Sequence, residues 1–231
     1  MTKRITCSEI LAHLQSLAKP ENVAGMARYG INPDHTYGVS MPILRQLARE
    51  IGKDHRLAAE LWSSGVHEAR ILASLVDDPA LVTEDQMDRW VAEFDSWDVC
   101  DQCCSNLFTR TRLAYRKAME WSTSQKEFTK RAGFVLMATL AVKDKKGSDG
   151  QFEPFFANIK MGATDGRNFV RKAVNWALRQ IGKRSPDLNR KARETAQQIR
   201  LIDSASARWI AADALRELSG PAVQKKLKGK A

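Results

Sequence analysis

Apolar residues recur at helical spacing along almost the whole chain, and no run alternates apolar and polar positions with the β-branched character of a strand. The pattern predicts helices over Glu9–Ala18, Pro42–Ile51, His55–Ser63, Glu68–Val76, Thr83–Phe94 and Trp97–Phe108. It continues with Arg112–Ser122, Glu127–Lys143, Phe152–Ile159, Arg167–Lys183, Pro186–Ile199 and Ser206–Leu218. Ser40 is a favourable N-cap, and Pro42 suits the first turn behind it. Thr83-Glu84-Asp85-Gln86 has the form of a capping box. The long stretches without helical period are Pro20–Val39 and Lys143–Gln151, the second with the Lys, Gly, Ser and Asp content of a flexible surface loop.

Four of these segments share a shape, a cation followed by a run of small apolar residues. They begin at Arg70, Arg131, Lys172 and Arg208, at separations of 61, 41 and 36 residues, the first long enough for two units. A two-helix unit of about 30–40 residues points to a HEAT-like solenoid, with a plain helical bundle as the alternative. The solenoid is preferred because the repeated helices carry the small-apolar faces of an inner layer covered by neighbours. The expected fold is therefore all-α, with one domain over residues 1–220 and a disordered basic tail over 221–231.

The segment Arg167–Lys183 carries the most functional information. On a helix, Val170, Val174, Ala177 and Ile181 form a core-facing stripe, while Lys172, Trp176, Arg179 and Lys183 cluster opposite. The largest apolar side chain thus lies among cations. A purely structural helix would bury it; a helix that touches an anionic, flat partner would display it. Charge agrees with this. The chain holds 37 Lys+Arg and 27 Asp+Glu; residues 160–231 hold 17 basic and 6 acidic, net +11, leaving 20 and 21 for residues 1–159, net −1. A near-neutral body with a basic C-terminal third suits a phosphate backbone along one side, although charge alone equally suits a solvated surface.

A second tryptophan repeats the theme. In Ser96-Trp97-Asp98-Val99-Cys100-Asp101, helical placement turns Val99, Cys100, Cys103 and Leu107 toward the core. Trp97 and Asp101, four residues apart, share the other side. Ser96 or Asp95 as a cap, Asp98 answering the helix dipole and Asp101 as a surface ion-pair partner are the plainer readings.

Other residue types narrow the field. No window approaches the length of apolar sequence needed to span a membrane, and the basic first residues are followed by no apolar run of a secretory signal, so a cytosolic location is expected. Cys7, Cys100, Cys103 and Cys104 include one Cys-x-x-Cys spacing, but no second pair and no nearby His accompanies it; packing explains these thiols better than zinc. His13, His35, His55 and His67 are scattered, and Trp62, Trp90, Trp121 and Trp209 are expected in the core. No phosphate loop, metal set or nucleophile arrangement is present, so neither cofactor nor metal is implied.

These residues together resemble the AlkD family of bacterial DNA alkylation repair proteins, the HEAT-like-repeat DNA glycosylases. The similarity runs from Tyr29 to Leu218 and is most specific in Ser96–Asp101, in Lys130-Arg131-Ala132-Gly133 and in Phe169–Arg179; Tyr37-Gly38-Val39 with Pro42 and Leu44-Arg45 resembles the family's N-terminal segment. The resemblance implies a C-shaped helical superhelix with DNA across its concave face. It implies hydrolysis of the N-glycosidic bond of N3- and N7-alkylated purines in duplex DNA, without base flipping. The implied catalytic residues are Asp101, Trp97 and Trp176, with Arg131, Lys172, Arg179 and Lys183 on DNA phosphates, acting as a monomer. The alternatives are a noncatalytic solenoid that binds bent or branched DNA, and a protein-interaction scaffold. The cationic face of Arg167–Lys183 weighs against the scaffold, since a DNA binder loses affinity steeply with salt.

Overall fold

The computed structural model describes residues 5–229, and among these it contains fourteen α-helices, two short 3₁₀ turns and no strand. The expected all-α architecture is observed. Residues Met1–Arg4, which include the start of the basic N-terminal stretch, and Lys230 and Ala231 of the basic tail lie outside the described residues. The chain divides into two compact units after Thr111.

The first unit holds α1 (Cys7–Ser16), α2 (Pro20–Arg28), α3 (Met41–Ile51), α4 (His55–Ser63), α5 (His67–Val76), α6 (Glu84–Ala92) and α7 (Trp97–Asn106). Helix α5 is its centre: it pairs with α4 and packs against both α3 and α7. Trp62 and Trp90 stack with ring centroids 4.0 Å apart in the core, with Phe94 edge-on to Trp62. Thr83 caps α6 by accepting from the Gln86 N–H, as its sequence suggests. The Gln86 side chain departs from the capping box and donates instead to the buried Asp77, at 2.7 Å.

One expectation fails here. Pro20–Val39 is not irregular throughout, because α2 occupies its first nine residues. Pro20 stands at the start of α2 and Glu21 in its first turn, both favourable there. The helix buries no residue completely, so it leaves no core stripe to read. The remaining non-helical stretch is held by Glu68 of α5. Its buried carboxylate accepts from the N–H groups of Tyr37, Gly38 and Val39 at 2.6–3.1 Å. Gly38 has φ +76°, and an added Cβ would meet the Lys19 carbonyl at 2.5 Å, so the tight chain path requires glycine.

The second unit holds α8 (Ala114–Trp121), α9 (Glu127–Lys143), α10 (Phe155–Gly162), α11 (Asn168–Gly182), α12 (Pro186–Arg200), α13 (Ala205–Leu218) and α14 (Pro221–Lys228). The first six form successive pairs, α8 with α9, α10 with α11 and α12 with α13. The second helices of the pairs also pack side by side, α9 on α11 and α11 on α13, and α10 lies on α12 in the other layer. The cation-led, small-apolar segments starting at Arg131, Lys172 and Arg208 are these second helices, as the repeat reading requires. Helix α9 is the most enclosed: Arg131 through Ala141 are all buried. Gly133 lets α8 approach, since a Cβ there would fall 2.7 Å from Ser122 Cα.

The expected disordered tail is corrected over Pro221–Lys228, which forms α14. Proline at its start, Leu227 buried at its end and Gln224 donating to the Leu218 carbonyl at 2.6 Å account for the helix. Among the described residues no helix is long and apolar enough to cross a membrane.

Candidate functional site

Trp97 and Asp101 lie in the first unit, and Arg131, Lys172, Trp176, Arg179 and Lys183 in the second. Trp97 is the first residue of α7, with Ser96 as N-cap. Ser96 makes no side-chain cap bond to the helix. Its buried hydroxyl accepts from the Asn32 N–H at 2.9 Å, and Asn32 Nδ2 donates to Asp95 at 2.9 Å. The start of α7 is thereby tied to the segment that Glu68 anchors. The Trp97 indole N–H donates to the Tyr29 carbonyl at 3.1 Å, which fixes the half-buried ring. Beside it lies a cleft of about 440 Å³, walled largely by apolar side chains such as Met26, Ile31, Val39 and Ile71.

Asp98 meets the buried His67 of α5, with Oδ2 2.9 Å from Nε2. Burial opposes a charge on His67, but the hydrogen bond and charge of Asp98, with Glu68 and Asp95 adding to it, raise its pKa above the ordinary value. His67 gave no functional signal in the sequence, because its partner is 31 residues away. Asp101 follows one turn after Trp97, partly exposed. On the opposite side Val99, Cys100, Cys103 and Cys104 are completely buried. Burial pushes the Cys103 thiol well above its usual pKa, so it is held protonated. Cys100, Cys103 and Cys104 are packing residues, as expected, whereas Cys7 is only partly buried.

In the second unit α11 divides its faces as its sequence predicts. Val170, Val174, Ala177 and Ile181 are buried, Lys172 is exposed, and Trp176, Arg179 and Lys183 are partly exposed. With its amide oxygen turned toward the donors, Gln180 accepts from Trp176 Nε1 at 3.1 Å and from Lys183 Nζ at 3.2 Å. Two acids of α13, absent from the sequence reading of the site, complete this surface. Arg179 pairs with Asp213 at 3.1 Å and Glu217 at 2.8 Å, and Lys183 pairs with Glu217 at 2.6 Å. Their spacing of four residues places both acids on one face of α13 and was the available signal.

Arg131 is buried, at 6% exposure, and donates to the Phe169 carbonyl at 2.6 Å, tying α9 to the start of α11. Its neighbour Lys130 reaches Asp165 at 3.0 Å, and Asp165 also receives the Arg167 guanidinium. Arg167 and Lys130 hold the Asp165 carboxyl far below the usual range. Trp62, Trp90 and Trp121 are core residues, at 2%, 4% and 3% exposure. Trp209 is not: it stays 39% exposed, with the Arg171 guanidinium 4.8 Å from its ring centroid. It falls outside the buried stripe of Ala207, Ile210, Ala211 and Ala214.

The profile of the DNA alkylation repair enzyme family matches residues 10–218. The chain belongs to that family. Two relatives of this family member are uncharacterized proteins of Listeria. The one from Listeria innocua is 24% identical over 200 residues, covering 84% of this chain and 87% of its own. The one from Listeria monocytogenes is 23% identical over the same length and the same shares. A solved structure with TM-score 0.77 and 20% identity covers 92% of this family member and 95% of its own chain. That protein is of a new family related to the HEAT-like repeat DNA glycosylases, with affinity for branched DNA structures. The likeness shows that the fold is of the HEAT-like repeat DNA glycosylase type.

Proposed function

We propose that this protein is a DNA glycosylase that hydrolyses the N-glycosidic bond of N3- and N7-alkylated purines in duplex DNA. The observation that carries the reading is the turn Trp97–Asp101 in a DNA alkylation repair enzyme. Its indole is held by the Tyr29 carbonyl, and a partly exposed carboxylate follows one helical turn later.

An alkylated purine already bears positive charge and is a good leaving group without protonation. When its bond to C1′ breaks, the electron pair stays with the base and neutralises it, and cationic character moves to the deoxyribose. A carboxylate positioned there stabilises that charge and orients a water. The water forms the new C1′–O bond, and its proton passes to Asp101 or to solvent. The π-face of Trp97, one turn before Asp101 on the same helix, attracts the same cationic sugar. Lys172, Arg179 and Lys183 serve the phosphates, which position the duplex without reading sequence. Arg131, bonded to the Phe169 carbonyl, supports the start of α11 beside any phosphate contact it makes. On this reading the lesion is engaged through sugar and backbone within the duplex by a monomer in the bacterial cytosol.

The test is release of free base from duplex DNA carrying N7-methylguanine under single-turnover conditions. Asp101→Asn is expected to slow release by about tenfold or more, which is ~1.4 kcal/mol of transition-state stabilisation. A second reading, noncatalytic binding of branched DNA, is favoured by the affinity of the structurally similar protein. It predicts no base release from wild type and unchanged binding by Asp101→Asn.

A further inference from the structure

Helices α11 and α13 run together with their side chains in register along one seam. Residues 171, 175, 179 and 183 of α11 meet 209, 213 and 217 of α13, both series stepping by four. The Arg171 guanidinium lies 4.8 Å from the Trp209 ring centroid, and Asn175 Nδ2 donates to Asp213 at 2.7 Å. Arg179 then lies between Asp213 and Glu217, and Lys183 closes on Glu217. At one end of the seam the cations are neutralised by carboxylates. At the other the rung is a cation on an indole.

That open end has a definite chemistry. Trp209 is 39% exposed on a helix whose inward positions are Ser206, Ala207, Ile210, Ala211, Ala214 and Leu218. Lys172 and Arg208, the sequence neighbours of the stacked Arg171 and Trp209, are exposed; of the acids on this stretch, Asp203 pairs with Arg208 at 2.9 Å, and Asp213, one turn after Trp209, is held by Asn175, Arg179 and Arg216. A flat apolar surface with a guanidinium against it and further cations next in sequence matches a nucleotide: the base stacks on the indole and its phosphate faces the cations. In an intact duplex the bases stack on one another and offer only their edges. The indole can therefore stack only on a base that is out of the duplex stack. We infer that Trp209, with Arg171, Lys172 and Arg208, is a docking site for an unpaired nucleotide of DNA, such as the single strand of a flap or junction. The inference rests on the DNA-binding reading above and is independent of base release. A protein partner is disfavoured by the excess of cations, Arg171, Lys172 and Arg208, over acids on this stretch.

The experiment compares wild type, Trp209→Ala and Trp209→Phe, each checked by thermal melting, on a blunt duplex and on the same duplex with a single-stranded flap, at one fixed salt. Trp209→Ala is expected to lose about tenfold in flap affinity and less than about twofold in duplex affinity, with Trp209→Phe retaining most of the flap binding. Equal losses on both DNAs, no loss on either, or a change in oligomeric state in place of affinity would overturn the inference while leaving the duplex reading in place. Wild type that binds neither DNA would overturn both. Should Trp209→Ala fail to fold, photocrosslinking of wild type to a flap carrying bromouracil decides the matter: an adduct at Trp209 supports the site, and adducts confined elsewhere refute it.

Discussion

Glu217 is the residue whose removal tests most directly whether α11 faces DNA. It accepts from Arg179 at 2.8 Å and from Lys183 at 2.6 Å. In Glu217→Gln, Arg179 keeps Asp213, but Lys183 loses its only acid among the described residues. One cation is therefore released. A unit charge brought to about 4 Å from a phosphate across water gains roughly 1 kcal/mol, or about fivefold in affinity. One added phosphate contact steepens the dependence of log K on log salt by about 0.9. These pairs are partly exposed, so the cost to folding is at most about 1 kcal/mol. The assay is fluorescence anisotropy on an unmodified duplex across a salt series. Glu194→Gln serves as control, since it changes formal charge equally on α12, where Glu194 pairs only with Arg190. Tighter binding with a steeper slope in Glu217→Gln alone is expected. An unchanged slope, or the same change in the control, refutes the placement of Lys183 at the backbone.

Three further outcomes follow from the packing. Gly133→Ala puts a methyl 2.7 Å from Ser122 Cα, against backbone that cannot turn aside, and should cost about 1–3 kcal/mol in urea unfolding; a neutral result would contradict the α8–α9 approach. Glu68→Gln removes the charge that three N–H groups share and, with its oxygen kept at the shared position, turns an NH2 toward the Tyr37 N–H, so it should lose roughly 1–3 kcal/mol and expose the amides of residues 37–39 to earlier hydrogen exchange. His67 has a raised folded pKa, so its charged pairing with Asp98 contributes fully below about pH 6.5 and is lost as pH rises through the folded value. The melting-temperature gap between wild type and His67→Gln should then be wider at acid than at alkaline pH, and a gap that widens with pH would show the sign to be wrong.

How much of this was legible beforehand depends on whether the signal was local. The two faces of α11 follow from 100° steps along one segment, and its buried and exposed residues fall where those steps put them. The same arithmetic applied to α13 would have placed Trp209 outside the stripe of Ala207, Ile210, Ala211 and Ala214. The small-apolar character of that helix instead suggested that any large side chain in it must pack. Helix α2 was missed for the opposite reason, having no fully buried position to mark its face. Glu68 and His67 could not be read at all. Their partners are about 30 residues away, and a carboxylate that gathers three backbone N–H groups looks in sequence like any other surface acid. The partners of Arg179 and Lys183 lie between these cases: four-residue spacing puts Asp213 and Glu217 on one face, but only the register of two helices brings that face to α11.

That register changes what the charge of +10 means. Counted along the sequence, the basic C-terminal third promises a strong general attraction for nucleic acid. In the folded unit, Arg179 and Lys183 are held by carboxylates, Arg131 is buried on a carbonyl, and Lys130 is on Asp165. A phosphate approaching α11 must displace Glu217 from Lys183, which subtracts most of the Coulombic gain from an indiscriminate contact. The same pairing holds the long side chains in place, so less conformational entropy is lost when a correctly placed phosphate replaces the carboxylate. If the proposed glycosylase reading holds, the protein must pass over undamaged duplex to find rare lesions, and weak contacts that strengthen only in register serve that better than a bare cationic face.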